Sequence, residues 1–186
     1  MIGYALCGSF CTHKRSVETL KHILELGYEV QPIMSECAYA TDTKFGKAED
    51  IRREVAELCG REIVHTIVGA EPFGPQLSLE ALVISPCTGN TLAKMANGIT
   101  DTSVCMAAKA HLRSNRPIVI ALASNDALSA NLSNIATLLT KKFVYFVPMI
   151  QDDPQKKPHS LVADLELLPQ TLEYALMGQQ YQKIFQ

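Results

Sequence analysis

The sequence predicts a three-layer α/β domain built on a mostly parallel sheet. Three observations predict it. Short apolar runs without polar alternation recur along the chain, helical patterns separate them, and neither a linker nor a repeat interrupts the series. Strands apolar on both faces belong in a sheet covered on both sides, and a helix between successive strands makes a parallel crossover. Length and composition agree: 186 residues suit one domain spanning 1–186, and 47% hydrophobic against 19% charged residues is a globular balance.

Ile2 to Leu6 reads as a buried first strand that ends in a Gly8-Ser9 turn. Val17, Leu20, Ile23 and Leu24 then fall at helical spacing, and Gly27 stops the helix as a C′ residue. Tyr28 to Met34 is the second strand. From Lys47 to Cys59 a second helix shows Ile51, Val55 and Leu58 on one face and ends at Gly60. Ile63 to Val68 reads as a short strand before a Pro/Gly loop from Glu71 to Pro75. Leu82 to Ile84 is the clearest buried strand. Helices follow over Asn90–Asn97 and Thr102–Leu112, then a strand over Pro117–Leu122 with its proline at the start, where a ladder donor is least missed. A helix over Leu132–Leu139, a strand over Phe143–Pro148 and a closing helix with Pro169 in its first turn and Gly178 at its end complete the series. The arrangement is doubly wound and flavodoxin/Rossmann-like, so its ligand crevice lies beyond the carboxyl ends of the strands.

Charge and composition exclude several function classes. The net charge is −2, so no basic field draws in nucleic acid or an anionic membrane. No apolar stretch reaches the length of a spanning helix, and Ile2–Leu6 is too short for a signal-peptide core, which makes a cytoplasmic location the expectation. Six cysteines without a C-x-x-C pair read as reduced thiols rather than as disulfides or a metal site.

Two strand-to-helix loops carry the candidate chemistry. In Gly8-Ser9-Phe10-Cys11-Thr12 a small turn offers backbone amides and hydroxyls to an anion, although Ser9 or Thr12 would equally serve as a helix cap. His13, Lys14 and Arg15 follow at once, and cations in a first helical turn oppose the helix dipole unless an anion offsets them. In Ser85-Pro86-Cys87-Thr88-Gly89-Asn90-Thr91 hydroxyls and an amide crowd a second junction, where Gly89 permits close approach of a ligand. That set suits a phosphate and a polyol; a plainly capped helix would look similar.

The second loop and its continuation through Lys94, Gly98, Ile99 and Asp101 resemble the motif Pro-x-[Thr/Ser]-[Ala/Gly]-Asn-Thr-x-x-Lys-x-x-x-Gly-Ile-x-Asp of the flavoprotein family. That family includes flavin-dependent cysteine decarboxylases and flavin prenyltransferases. The likeness extends to the Gly8-Ser9 turn, Ser35 after the second strand and Arg116-Pro117. It implies FMN as a ligand on this chain, with contacts inherited by Gly8, Ser9, Ser35, Thr88, Gly89, Asn90, Thr91 and Ser103. It also implies homo-oligomers. Two departures stand out: no histidine occupies Glu71–Gln76, where the decarboxylases carry a catalytic one, and their Pro-Ala-Met-Asn motif is replaced by Leu122-Ala123-Ser124-Asn125. Decarboxylation is therefore not expected.

A longer set of segments, including Asn97–Thr102, Ser124–Asp126 and Tyr145–Pro158, is similar to the B subunits of a two-subunit oxidoreductase of spore-forming bacteria. The resemblance implies oxidation of dihydrodipicolinate to dipicolinate together with a pyridine-nucleotide-binding A subunit, in the mother cell. No G-x-G-x-x-G, Walker sequence or serine-hydrolase elbow is present, which puts NAD(P) on the partner. A non-catalytic scaffold subunit that keeps the flavin fold is the alternative, and an independent FMN-dependent decarboxylase a further one. A substrate with two carboxylates needs cations or several donors, and Arg15, Asn125 and Lys156 are the expected suppliers. The loop from Gln151 to His159 otherwise reads as solvated, and His22, His65 and His111 as structural.

Overall fold

The computed structural model describes residues 1–74, 76–77 and 79–186. Strand β1 (Ile2–Leu6) is buried along its whole length because it has neighbours on both sides and helices on both faces. It pairs in parallel with β2 (Val30–Met34), from Ile2↔Val30 to Leu6↔Met34, and with β3 (Leu82–Cys87), from Gly3↔Leu82 to Ala5↔Ile84. β4 (Ile118–Ser124) lies parallel to β3, and β5 (Val144–Phe146) parallel to the first half of β4. The far end of β4 takes a different partner. There β7 (Leu161–Ala163) runs antiparallel to Ala123–Ser124, and β6 (Met149–Ile150) runs antiparallel to β7.

Alternation along the strands divides the core into two clusters. Tyr4 and Leu6 pack with Val17, Leu20 and Ile23 of α1 (His13–Glu25), Val55 of α3 (Ala48–Cys59) and Leu168 and Leu172 of α8 (Leu168–Leu176). Ala5 and Ile84 face the other way, onto Leu92 of α5 (Gly89–Ala96), Val104 of α6 (Ser103–Leu112) and Ile135 and Leu138 of α7 (Leu132–Leu139). This is the three-layer, mostly parallel architecture that the apolar runs predict. The stops at Gly27 and Gly60 hold as well, at φ 89° and 60°, where a left-handed residue closes the preceding helix.

Four expectations change. Ile63–Val68 is not a strand: only Val64 bridges to Ile33, and Ile67–Ala70 forms a short helix, α4, capped by Thr66, whose hydroxyl takes the Gly69 amide before pairing can spread. Phe143–Pro148 is not one strand, because Phe143 takes φ 66° and pairing passes to β6 after Phe146. β3 runs three residues beyond Ile84, with a register shift between Ile84 and Cys87. A short helix α2 (Glu36–Ala40), capped by Ser35, follows β2. Of the expected Pro/Gly loop, Pro75 lies outside the described residues.

Candidate functional site

β1 leads to β2 on one side, whereas β3 lies on its other side, so the order reverses between β1 and β3. At such a switch point the loops leaving the two strands diverge and open a crevice. Both motif loops meet there. The Cys7 amide donates to Pro86 O at 3.1 Å, and the Thr91 hydroxyl donates to the Cys7 sulfur at 3.3 Å. Burial pushes the Cys7 thiol up to about 12, so it stays protonated and is not a nucleophile.

Ser9 and Thr12 stand at N-cap positions, but neither hydroxyl makes a cap hydrogen bond. A one-turn 3-10 segment, Phe10–Thr12, intervenes and leaves the half-buried Ser9 hydroxyl 3.4 Å from that of Thr12. Ser9 N donates to Cys7 O and Thr12 N to Ser9 O. Across the crevice Thr88 caps α5, accepting the Thr91 amide and donating to the Thr91 hydroxyl, both at 3.1 Å. Asn90 is exposed in the first turn of α5, its side-chain amide without a bond to any of the described residues. Gly8, Ser9 and Asn90 therefore leave polar groups open at the two loops, whereas the Thr88 hydroxyl, engaged in the cap, keeps only acceptor capacity.

The other expected contacts are spent inside the fold. Ser35 Oγ accepts the Ala38 amide at 3.2 Å as the cap of α2. Ser103 is fully buried; its hydroxyl donates to Met34 O at 2.6 Å and its amide to the Glu36 carboxylate at 2.9 Å, which pins α6 to the end of β2. Gly89 also meets a packing requirement of the fold. A Cβ there would lie 2.5 Å from Ser124 Oγ, 2.6 Å from Asn131 Nδ2 and 2.9 Å from Asp126 Oδ1. Those three side chains form a polar knot: Ser124 donates to Asp126, and Asn131 donates to both its oxygens at 2.9 Å. The Ser124 hydroxyl, then the Asn131 amide, hold the Asp126 carboxyl below the usual range. Sequence reasoning missed this knot, because only the fold brings residue 89 to the end of β4.

The expected substrate residues are not brought together. Arg15 lies on the outer face of α1 in a shallow depression with Glu18, His22 and Glu166. Asn125 is exposed just past β4, and Lys156 is exposed 3.9 Å from Asp153 in the β6–β7 loop. Lys157 pairs with Asp152 at 2.6 Å in the same loop. His65 stacks on Tyr39 with centroids 3.7 Å apart, and His111 Nε2–H donates to Pro117 O at 2.9 Å, structural roles both. The residue that stands apart is His13. It is 2% exposed, its Nε2–H donates to Cys7 O at 2.7 Å, and Nδ1 has no partner among the described residues.

Known proteins agree with the motif. The Flavoprotein family matches residues 1–164. The dipicolinate synthase B subunit of Bacillus subtilis (strain 168) is 45% identical over 183 residues, 98% of this chain and 92% of that protein. The crystal structure of the dipicolinate synthase B subunit from Bacillus halodurans superposes with a TM-score of 0.91 at 44% identity, covering 100% of this chain and 95% of that one. The FMN-dependent cysteine decarboxylase SpaF shares the fold at a TM-score of 0.67 and 22% identity, over 95% of this chain and 94% of its own. With relatives matched along almost its full length, the chain belongs to the Flavoprotein family and, within it, to the dipicolinate synthase B subunits.

Proposed function

We propose that the chain works with the A subunit of dipicolinate synthase to oxidise dihydrodipicolinate to dipicolinate, in the cytoplasm of the mother cell of a sporulating bacterium. The observation that carries this reading is the 45% identity to a B subunit over 98% of the chain. Aromatising the dihydropyridine ring removes a hydride and a proton. NAD(P)⁺ on the partner takes the hydride, since this chain has no dinucleotide fingerprint, and a basic group or water takes the proton. Among the described residues no helix is long and apolar enough to cross a membrane. Assembly into homo-oligomers belongs to the same reading.

The crevice suits FMN in its donor chemistry. The half-exposed Gly8–Ser9 turn faces the capped N-terminus of α5, a set for a phosphate, while Thr88 and Asn90 offer partners to a polyol. Glu36 sits at the Ser35–Ser103 end, so an anion is held at Gly8 and Ser9 rather than there. A flavin held there would supply a relay that takes the hydride from the ring and passes it to NAD(P)⁺ on the partner.

Reconstitution tests the reading. The purified chain and its nucleotide-binding partner, mixed with dihydrodipicolinate and NAD(P)⁺, should form NAD(P)H and dipicolinate, with neither protein active alone. Turnover by this chain by itself, or none by the mixture, refutes it. A visible spectrum reports separately on FMN: flavin bands are expected, and a colourless chain that restores activity removes the cofactor but keeps the function.

A further inference from the structure

The layer that holds α4, α5, α6 and α7 carries two apolar features that the fold leaves uncovered. One is a groove of about 370 Å³ between the end of α5 and the outer face of α6. Met95, Ile99, Leu112 and Leu138 line its apolar part, and Ile99 is 47% exposed. Its charged lining is of one sign: Lys109, Arg113 and Lys141, with no acid among the described residues. Lys141 donates to Met95 O at 3.3 Å and so closes the end of α5. Asp101, next in sequence to the groove's Thr100, is paired with Lys94 at 2.8 Å. Lys109 and Arg113 have no acid partner among the described residues. The helix dipole accounts for a cation at the end of α6, but not for the open apolar floor beside it.

The other feature is α4. Val68 is 78% exposed, more than any other large apolar side chain among the described residues, and Ile67 beside it is exposed as well. Glu71 follows three residues after Val68 and four after Ile67, spacings that place side chains together on a helix surface. It too is exposed, with no cation partner among the described residues. α4 and α5 both pack on α6, so the two features share one layer of the molecule. Each supplies what the other lacks: an apolar knob carrying an acid, and an apolar groove lined by cations. Within one chain they stay apart, since neither Val68 nor Glu71 lines the groove. Opposite potentials select which surfaces meet, and an apolar anchor in a pocket supplies most of the affinity.

We propose that the groove between α5 and α6 receives α4 of a second copy of this chain, with Ile67 and Val68 in its apolar part and Glu71 against Lys109 and Arg113. Every copy carries both features, so the contact repeats until each groove is filled, in a two-fold pair or a closed ring. The inference deepens the expectation of homo-oligomers by naming the surfaces that meet, and it does not depend on the reaction.

Analytical ultracentrifugation of the full-length chain over a concentration series tests the contact. The unaltered chain should sediment as an oligomer. Val68→Asp puts a carboxylate into the apolar part of the groove and should raise the dissociation constant at least about tenfold. Glu71→Lys alone, and Lys109→Glu together with Arg113→Glu, should each weaken assembly about tenfold by setting like charges against each other. Joined in one chain, those reversals bring opposite charges together again and should recover most of the assembly. All four positions are exposed, so far-ultraviolet circular dichroism should show the unaltered fold in every variant. A monomeric unaltered chain overturns the proposal and the homo-oligomer with it. An oligomer that the variants leave unchanged, or that the combined reversal fails to recover, keeps the homo-oligomer and overturns this contact. Variants that still self-assemble but no longer bind the nucleotide-binding partner assign the groove to that partner and overturn the proposal as well.

Discussion

Gly89 shows how a residue that looks made for a ligand can be required by the fold. In the motif it stands between Thr88 and Asn90, and any backbone approach to a cofactor would explain it. Its actual neighbours are the tips of Ser124, Asn131 and Asp126, within 2.9 Å of where a Cβ would be. Helix propensity alone favours alanine over glycine by up to about 1 kcal/mol. Overpacking typically costs about 1–3 kcal/mol, and here the displaced atoms are hydrogen-bonded to one another, so they cannot yield independently. Gly89→Ala should therefore lower stability by roughly 1 kcal/mol, the balance of the two effects. Urea unfolding reads this as a lower midpoint at unchanged slope, and a midpoint equal to or above that of the unaltered chain would show that the knot opens freely. The site's hydroxyls divide along the same line. Ser35 and Ser103, inherited as cofactor contacts by resemblance, close the ends of α2 and α6, whereas the Ser9 hydroxyl, like the Asn90 carboxamide, has no such role. Sequence position could not separate the two groups, because a cap and a ligand contact need the same side chain at the same junction.

Elements were legible where a local signal sufficed. β1, β3 and β4 announce themselves because both faces are covered, so every residue of the run is apolar, and α1 and α3 carry their own stop signals. β6 and β7 give no such signal. They have two and three residues, and their pairing depends on the far end of β4, some forty positions earlier in the chain. Connections between elements also hide a titration. His111, near the end of α6, ties that helix to the start of β4 through Pro117 O, and burial lowers it to about 4. An exposed histidine in the unfolded chain takes a proton near pH 6.5. Between those values the unfolded state holds the proton and the folded state does not, so stability rises with pH there. It is fully present above about pH 6.5 and falls as the pH drops toward 4, by roughly 3 kcal/mol at most. Burial shifts His13 the same way, so it steepens the same window. In His111→Gln, which keeps a donor for Pro117 O but cannot titrate there, urea midpoints measured from pH 7 to 4 should decline less steeply. An identical slope would mean that His111 is protonated as easily in the fold as outside it.

At the scale of the whole molecule, the family match ends at residue 164, but the fold does not. Leu165, Leu168, Leu172 and Ala175 are each no more than 4% exposed, packed in the cluster that also holds Tyr4, Leu6 and Leu20. The tail beyond α8 then closes the open side of the sheet. Gln180 imitates a neighbouring strand, its Oε1 accepting the Phe146 amide at 2.8 Å and its Nε2 donating to Phe146 O at 2.7 Å. Met149 N donates to Ile184 O at 2.7 Å and Gln186 N to Met149 O at 3.1 Å, so the last residues pair with β6. A strand edge left bare invites pairing with other chains, and these contacts cover it. Fully burying a leucine contributes about 1.5–3 kcal/mol, so losing three removes roughly 5–9 kcal/mol before the edge is counted. Domains of this size are stable by only about 5–15 kcal/mol. A chain ending at Asp164 should therefore lack a cooperative thermal transition by circular dichroism and elute as aggregate in size-exclusion chromatography, while the full chain melts in one step by far-ultraviolet and aromatic signals alike. If the shortened chain instead melted as sharply as the full one, α8 would be an appendage and the folding unit would end where the family match ends.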